Sequence, residues 1–414
     1  MVSTSLPTIS QTESSIRLAI RALQPQLVEW RRLLHQRPEL GFREHLTAEF
    51  VCQKLQQWGI SYQAGIAETG IVALVSGSQP GRVLAIRADM DALPIQEDNL
   101  VSYRSQRDGI MHACGHDGHI TIALGTAYYL SQHPELFSGI VKIIFQPAEE
   151  GPGGAKPMVQ AGVLRNPDVD AIIGLHLWNN LPLGTVGVRD GALMAATELF
   201  DCTIQGNGGH GAMPHQTVDS IVVAAQVVTA LQTIVSRNVD PLQSAVVTVG
   251  SLHAGHAPNV IADTAQMRGT VRYFDPSLDE FFKPRIESII AGICQSYGAS
   301  YGFNYQKRYP PVINDRAIAY LVRSVAEAVI ETPAGIVPDC QTMGGEDMSF
   351  FLQEVPGCYF FLGSANSDKG LAYPHHHPRF DFDETALGMG VEIFVRCVEN
   401  FLIPNGTPDG TSDR

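Results

Sequence analysis

Apolar residues near the N-terminus recur every three or four positions, which is the spacing that places them on one face of a helix. The first series consists of Ile16, Ile20, Leu23, Leu27 and Trp30. A second series of the same kind occupies residues 50–58. We therefore predict two helices between residues 15 and 58.

Short apolar runs bounded by turn residues come next, and their length is that of buried strands. They occupy residues 72–75, 83–86, 141–145 and 171–175. Helical spacing returns between some of these runs, as over residues 120–131. Strands that alternate with helices favour a mainly parallel sheet with helices on both faces, so the pattern predicts an α/β fold.

The middle of the chain shows a different order of elements. The pattern predicts a strand at 198–205, a helix at 219–237, strands at 245–252 and 265–274, a helix at 278–297 and a strand at 301–309. This βαββαβ order is ferredoxin-like. A self-contained unit of about 110 residues within an α/β chain is best explained as an inserted lid or dimerisation domain.

These patterns predict two domains. Residues 1–192 and 310–414 form the two parts of the α/β domain, and residues 193–309 form the inserted domain. The length of 414 residues agrees with this division, because a single hydrophobic core rarely serves a chain of that size.

The chain carries 42 acidic and 28 basic residues, which gives a formal net charge of −14. This charge repels nucleic acid and anionic membrane surfaces, so we expect neither as a partner. The N-terminus lacks the apolar core of a secretory signal, and no segment approaches about 18 consecutive apolar residues. Seven scattered cysteines, an odd number, indicate reduced thiols. Together these features favour the cytoplasm.

A dense cluster of side chains that commonly bind metals contains His112, Cys114, His116 and His119. A thiolate and an imidazole two positions apart suit a borderline-soft divalent ion such as zinc, and manganese, cobalt or nickel is also compatible. For an isolated Cys-x-His pair, the alternative is a buried cysteine with histidines that cap helices. By itself, the cluster therefore only suggests half of a metal site.

Glu149 and Glu150 follow directly after the predicted strand at 141–145. Ligand sites in open α/β sheets gather at the carboxyl ends of strands. Because consecutive side chains in a tight turn diverge, one glutamate can bind a metal while the other acts as general base on a metal-activated water. The alternative for a bare Glu-Glu pair is a solvated acidic turn.

Other polar residues follow strands that end at the same edge. Asp89 comes shortly after one predicted strand, and His176 comes directly after another. Alone, Asp89 could cap a turn and His176 could be a core residue, but their shared edge favours a joint site. Near the C-terminus, His375, His376 and His377 lie in a loop between two prolines, and we expect one of them to complete the metal site.

Several motifs together resemble a known family. They are RADMDALP, HACGHDGH, FQPAEEG, GLHLW, GGHGAMPH and HHHPRFDFDE, and the similarity extends from about residue 34 to residue 384. They resemble the aminoacylase and carboxypeptidase group of dinuclear metallopeptidases, in particular its hippurate hydrolases, indoleacetate-amino-acid hydrolases and N-acyl-L-amino-acid amidohydrolases. The resemblance implies a metal-dependent amidohydrolase whose substrates are small N-acyl amino acids with hippurate-like, N-acetyl or indoleacetyl groups.

The resemblance also implies roles for individual residues. Metal binding is expected of Cys114, His116, Glu150, His176 and His376. Among the three loop histidines, alignment on the following Pro378 favours His376. Catalysis is expected of Glu149 as general base, with Asp89 and His210, and substrate binding is expected of His210, Asn259 and Arg272.

The implied centre contains two divalent ions per subunit, manganese or zinc, with cobalt or nickel as alternatives. Five ligands can supply three to each ion only if one of them bridges. Cys114 is our candidate for the bridge, and Glu150 is the alternative. The ions would polarise the scissile carbonyl and activate water for Glu149, while His210 would stabilise the oxyanion and Arg272 would bind the substrate carboxylate. The resemblance further implies a homodimer formed by the lids, in which His210 acts in the partner's active site.

Two other classes of protein stay open. Cys114 beside His116 or His119 is an arrangement found in cysteine-nucleophile amidases, which a chelator would not inhibit. A catalytically inactive binding protein of the same fold is the non-enzymatic alternative. In such a protein we expect the base and the ligands to be replaced by other residue types, but all of them are present here.

Overall fold

The structure is a computed structural model that describes residues 12–330 and 335–403. The helices in these ranges are α1 (Thr12–His35), α2 (His45–Gln57), α3 (His116–Gln132), α4 (Ala155–Gln160), α5 (Ser220–Arg237), α6 (Phe282–Tyr297), α7 (Arg316–Ile330), α8 (Ser349–Leu352) and α9 (Thr385–Phe401). The strands are β1 (Ser61–Ile66), β2 (Gly70–Ser76), β3 (Val83–Asp89), β4 (Ile140–Gln146), β5 (Ala171–Pro182), β6 (Val186–Gly187), β7 (Gly191–Met194), β8 (Ala196–Gln205), β9 (Gly209–His210), β10 (Ala245–Ala254), β11 (Val260–Ile261), β12 (Thr264–Tyr273), β13 (Ser300–Tyr309), β14 (Val312–Asn314), β15 (Ile336–Val337) and β16 (Gly357–Ala365).

The chain divides into two compact units. The first unit consists of the residues up to Gly191, Asn314–Cys340 and the chain from Phe350 onward. The second unit consists of Ala192–Ile313 and Gln341–Ser349. The assignment of a catalytic domain to residues 1–192 and 310–414, and of a lid to residues 193–309, stays a prediction.

The short segment Gln341–Ser349 belongs to the second unit although the sequence pattern placed it in the α/β domain. A backbone hydrogen bond of 3.1 Å joins the N–H of Thr342 to the carbonyl of Leu193. Another of 3.0 Å joins the N–H of Ala195 to the carbonyl of Gly344. These bonds tie the segment to the strand that opens the second unit.

An eight-stranded sheet forms the centre of the first unit, in the order β1-β2-β4-β3-β5-β16-β6-β15. The middle strands β4, β3, β5 and β16 run parallel to one another. Antiparallel pairs occur at β1 with β2, β2 with β4 and β16 with β6. Every residue of β3 is buried, so both faces of the central sheet are covered. The predicted α/β class with a mostly parallel sheet is confirmed.

Helix α3 begins at His116, earlier than the predicted start at residue 120. Gly115 precedes it with a φ of 89°, a left-handed conformation that glycine adopts without steric cost. The chain can therefore turn into the helix immediately after Cys114. As a consequence, Cys114 lies in the preceding loop and His116 in the first turn of the helix.

Apolar side chains of α1, α3, α9 and the sheet form the core of the first unit. Leu27 and Trp30 of α1, Leu124 of α3, Ile173 of β5 and Val391 of α9 are among its buried members. Burial of each such side chain contributes about 1.5–3 kcal/mol relative to exposure. The carboxyl edge of the sheet is thus supported by a continuous apolar core.

The second unit contains a four-stranded antiparallel sheet in the order β10-β12-β8-β13, with α5 and α6 packed against it. Its chain order is β8, α5, β10, β12, α6, β13, which is the βαββαβ succession that the sequence pattern predicts. Asp219 caps α5 by accepting hydrogen bonds from the N–H groups of Ile221 and Val222. The use of this unit as a lid or dimerisation domain stays a prediction.

Helix α5 is long and apolar enough to cross a membrane by length and composition, with a mean hydropathy of 1.4. Its residues Val223, Val227, Leu231 and Ile234 are buried in the core of the second unit. A core helix that covers a sheet can have the same length and composition as a membrane span.

Candidate metal centre

Polar residues gather where the parallel strands of the first unit end. The last residue of β3, Asp89, is in register with Gln146, the last residue of β4, and Glu149 and Glu150 lie just beyond. His176 lies on the neighbouring strand β5. This is the carboxyl edge at which α/β proteins commonly bind ligands.

Three possible metal ligands, Cys114, His116 and His176, lie together in the interior. Nε2 of His176 is 3.5 Å from Sγ of Cys114, and its Nδ1 is 2.6 Å from the carbonyl oxygen of Leu177. Nδ1 of His116 is 2.9 Å from the carbonyl oxygen of Asp91. Because a carbonyl only accepts, both rings carry a proton on Nδ1 and can present Nε2 to a metal.

Cys114 also belongs to a second group, with Glu150 and His376. Nε2 of His376 is 3.1 Å from Oε1 of Glu150, and Nε2 of His116 is 4.0 Å from the same oxygen. His376 has a left-handed φ of 64°, and its N–H donates a hydrogen bond of 2.8 Å to the carbonyl of Ala113. The two groups share Cys114, so the structure brings all five predicted ligands together.

The thiol of Cys114 is in surroundings that oppose its ionisation. Burial raises its pKa well above the ordinary value, and the carboxylates of Glu150 and Glu149 raise it further. Nε2 of His116 is buried and has no hydrogen-bond partner among the residues that the structure describes. A divalent metal would resolve both features, because it binds a thiolate and a neutral imidazole nitrogen. The residues therefore fit a metal.

The two buried histidines of the first group differ in charge. Burial lowers the pKa of His176 well below its ordinary value, so this ring is neutral. Burial also lowers the pKa of His116, but the carboxylates of Asp89 and Asp91 outweigh it and raise the pKa to about 10. Without a metal, His116 is thus the cation that balances the acidic residues around it.

Asp91 is a residue of the site that the sequence analysis missed. Its Oδ1 accepts a hydrogen bond from the N–H of Glu149 and its Oδ2 accepts one from the N–H of Glu150, both 2.9 Å long. Its main-chain carbonyl accepts the Nδ1–H of His116. Asp91 therefore fixes the glutamate turn and one imidazole together. Its place in the same motif as Asp89 was the signal available in the sequence.

Asp89, which we predicted to be catalytic, contacts buried cationic and imidazole groups. Its Oδ2 accepts a hydrogen bond of 2.6 Å from Arg87, and its Oδ1 accepts one of 2.6 Å from Nδ1 of His119. The N–H of Leu177 donates to Nε2 of His119, so both nitrogens of His119 are engaged. His119 is therefore unsuited to take a proton from Cys114.

The three consecutive histidines near the C-terminus have different surroundings. His377 stacks on the ring of Tyr373, with the ring centroids 4.6 Å apart. Nδ1 of His375 lies 3.8 Å from Sγ of Cys114. His376 belongs to the second ligand group described above. This placement supports His376 as the predicted ligand, and its role in metal binding stays a prediction.

The three other predicted residues lie in the second unit. His210 is on β9, and Asn259 immediately precedes β11, the strand that pairs with β9. The N–H of Ala212 donates a hydrogen bond of 3.0 Å to Nδ1 of His210, so the neutral ring carries its proton on Nε2. Arg272 is a partly buried residue of β12. The roles of these residues stay predictions.

Comparison with known proteins shows the family. Residues 85–400 match Peptidase family M20/M25/M40. An N-acyl-L-amino acid amidohydrolase of Geobacillus stearothermophilus is 48% identical over 304 residues, which cover 73% of this chain and 82% of that protein. The IAA-amino acid hydrolase ILR1-like 4 of Arabidopsis thaliana is 40% identical, with 91% of this chain and 86% of that protein covered.

A solved structure agrees with the sequence relatives. The protein YXEP of Bacillus subtilis, described as a dinuclear metal binding peptidase of family M20, superposes with a TM-score of 0.80 and 35% sequence identity. The match covers 92% of this chain and 99% of that one. The chain belongs to peptidase family M20/M25/M40. The predicted enzyme class, a hydrolase of amide bonds, is confirmed.

Proposed function

We propose that the protein hydrolyses the amide bond of N-acyl amino acids, using two divalent metal ions held by its first unit. One observation carries the proposal: two groups of possible ligands share Cys114, with Glu149 beside them on a fixed turn. The ligands would be Cys114, His116, Glu150, His176 and His376. Because Cys114 is common to both groups, we propose that its sulfur bridges the two ions.

The ions, when bound, would polarise the scissile carbonyl and lower the pKa of water. Glu149 would then accept a proton from the attacking water and deliver it to the leaving amine nitrogen. Asp91 holds the backbone of Glu149, so the carboxylate starts from a fixed position. Asp89 would hold the buried ring of His119 in place, because its Oδ1 accepts the hydrogen bond from Nδ1 of His119.

For the second unit, we propose roles in binding the substrate and the transition state. Nε2–H of His210 would donate to the oxyanion of the tetrahedral intermediate. Asn259 would bind the acyl or amide group, and the guanidinium of Arg272 would bind the substrate carboxylate in a bidentate manner. The partly buried position of Arg272 and the proton on Nε2 of His210 support these roles.

The substrate class is supported by the names of relatives, which include an N-acyl-L-amino acid amidohydrolase and an IAA-amino acid hydrolase. We propose manganese or zinc as the metal, with cobalt or nickel as alternatives, since thiolate and imidazole ligands suit zinc and a carboxylate oxygen is a ligand that manganese prefers. We also propose a homodimer formed through the second unit and a cytoplasmic location. All seven cysteines are free thiols in the described residues, which supports a reducing compartment.

The decisive experiment measures release of free amino acid after reconstitution with each metal. The panel is hippurate, N-acetyl amino acids, an indoleacetyl conjugate and N-acetyl-diaminopimelate. We expect turnover of at least one of them, its loss on exhaustive chelation, and its return with metal. Full activity in verified metal-free protein, together with loss on thiol alkylation, would instead establish the cysteine-nucleophile alternative.

A further inference from the structure

Asn179 of β5 contacts both ends of the loop that carries the three histidines. Nδ2 of Asn179 donates to the carbonyls of Tyr373 and Asp381, at 2.9 and 2.8 Å. Oδ1 of Asn179 accepts a hydrogen bond of 2.7 Å from the hydroxyl of Ser364. The amide orientation is fixed by these three bonds, and the loop is held at both ends.

The same residue fixes the tautomer of His375. The backbone N–H of Asn179 donates a hydrogen bond of 3.1 Å to Nε2 of His375. Nε2 must therefore be unprotonated, and the proton of the neutral ring is on Nδ1. Nδ1 lies 3.8 Å from Sγ of Cys114, within hydrogen-bond distance for sulfur. The indole of Trp178 packs against the ring of His375, with the centroids 4.7 Å apart and 30° between the ring planes.

We propose that His375 donates a hydrogen bond from Nδ1 to the thiolate of Cys114 and is a positioning residue of the metal centre, not a ligand. A ligand would need a bare Nδ1, and its proton would then be on Nε2. Two N–H donors, those of His375 and Asn179, would face each other at 3.1 Å. The backbone of Asn179 thus selects the donor role.

Apart from the proposed metal ions, the protein groups nearest to Sγ do not stabilise negative charge, so a hydrogen-bond donor among them complements the thiolate. His176 presents a lone pair at 3.5 Å from Sγ, and the carboxylate of Glu150 belongs to the same ligand group. A hydrogen bond to a metal thiolate orients the sulfur and reduces its donation to the metal. Loss of such a supporting bond typically costs about 10- to 100-fold in metal affinity.

Two substitutions separate this role from simple anchoring of the loop. His375→Asn places an amide N–H at the position of Nδ1 but loses the acceptor for Asn179. His375→Gln places an oxygen at the position of Nε2, which keeps that acceptor, but loses the donor to Cys114. His375→Leu removes both groups, and His377→Gln is the matched control in the same loop.

The inference rests on the proposed metal centre, and the probe is Co²⁺ alone. Each variant is titrated with Co²⁺ against a competing chelator, and the thiolate-to-cobalt absorption band is recorded. We expect His375→Gln and His375→Leu to bind Co²⁺ about 10- to 100-fold more weakly, with the band shifted to lower energy. His375→Asn and His377→Gln should stay close to the parent protein.

The opposite pattern is that His375→Gln matches the parent protein in Co²⁺ affinity and absorption band, while His375→Asn matches His375→Leu. That pattern would show that His375 only anchors the loop, and it would overturn the inference. Identical bands and affinities in all variants overturn it as well. If the parent protein shows no thiolate-to-cobalt band, the proposed centre fails too. For the parent protein loaded with zinc, long-range ¹H–¹⁵N correlation of labelled histidines gives a test without any substitution. It should show the His375 proton on Nδ1, and a proton on Nε2 would refute the assignment.

Discussion

The carboxylate of Asp91 accepts a hydrogen bond of 2.9 Å from the backbone N–H of Glu149. Its other oxygen does the same for the next residue of the chain, Glu150. A carboxylate has two acceptor atoms and no donor when ionised, so it can satisfy both N–H groups of the turn at once. The orientation of the proposed base therefore depends on a residue that does not itself react.

The substitution Asp91→Asn should disturb this arrangement while keeping the size of the side chain. An amide has one acceptor atom, so one backbone N–H of the turn would face an NH₂ group. We expect a loss of about 1–3 kcal/mol in the free energy of unfolding and about 100-fold in kcat. Urea unfolding and steady-state kinetics measure the two effects. Asp98→Asn, at an exposed position of the following loop, is the control.

The two glutamates should differ in what they do for the enzyme. Glu149→Gln should lose turnover by several orders of magnitude and retain its metals, because the proposed role of this residue is proton transfer. Glu150→Gln should lose metal affinity as well, because Oε1 of Glu150 belongs to the ligand group with His376 and Cys114. Elemental analysis after gel filtration measures the difference. A metal-depleted Glu149→Gln protein beside a fully loaded Glu150→Gln protein would show that the roles are exchanged.

We expect the free energy of unfolding to fall at alkaline pH because of the buried residue His35. Burial lowers the pKa of His35, but hydrogen bonds with Asp117 and Glu97 outweigh it and raise the pKa to about 9, against 6.5 for a free histidine. The charged form is thus favoured in the folded state. Its contribution, roughly 3 kcal/mol, is complete below pH 6.5 and is lost as the pH rises through 9.

Urea unfolding at a series of pH values between 6 and 10 tests this expectation. The stability difference between the parent protein and His35→Gln should shrink as the pH rises, because Gln does not titrate. The control is His133→Gln, which removes an exposed histidine paired with Glu135. A difference for His35→Gln that is constant across the whole range would contradict the raised pKa.

Subunit exchange tests the predicted sharing of the active site. A Glu149→Ala subunit and a His210→Ala subunit should each be inactive alone. If His210 acts across the dimer interface, a mixed dimer contains one site with an intact Glu149 and an intact His210, and activity should return on mixing. No recovery, despite subunit exchange demonstrated by mass spectrometry, would show that His210 acts within its own chain or not at all.

Much of the fold could be predicted from periodicity alone. The runs at 83–86, 141–145 and 171–175 lie inside β3, β4 and β5, because strands buried on both faces are apolar throughout. The start of α3 was placed too late, since periodicity does not register the left-handed Gly115. The grouping of Gln341–Ser349 with the second unit could not be predicted from periodicity, because backbone hydrogen bonds that any sequence can make join it to that unit.

The site was predictable in its ligand types but not in its supporting contacts. Cys114 and Glu150 could be proposed from chemistry and motif spacing. Asp91 was missed because its function is to accept backbone N–H groups, and no side-chain pattern marks that role. Alignment on Pro378 favoured His376 as the ligand, but the contact of His375 with the N–H of Asn179 is visible only in three dimensions.

The second unit is made of two stretches of chain, Ala192–Ile313 and Gln341–Ser349, and this has a consequence for protein engineering. In this protein, the N–H of Thr342 in the short stretch donates a backbone hydrogen bond of 3.1 Å to the carbonyl of Leu193 in the long stretch. A chimera that takes only the long stretch from a relative would have to form this bond between a segment of the relative and a segment of the parent protein. Transplants of substrate preference between relatives should therefore carry both stretches together. For the same reason, a gene fragment that encodes residues 192–313 alone would produce the second unit without Gln341–Ser349.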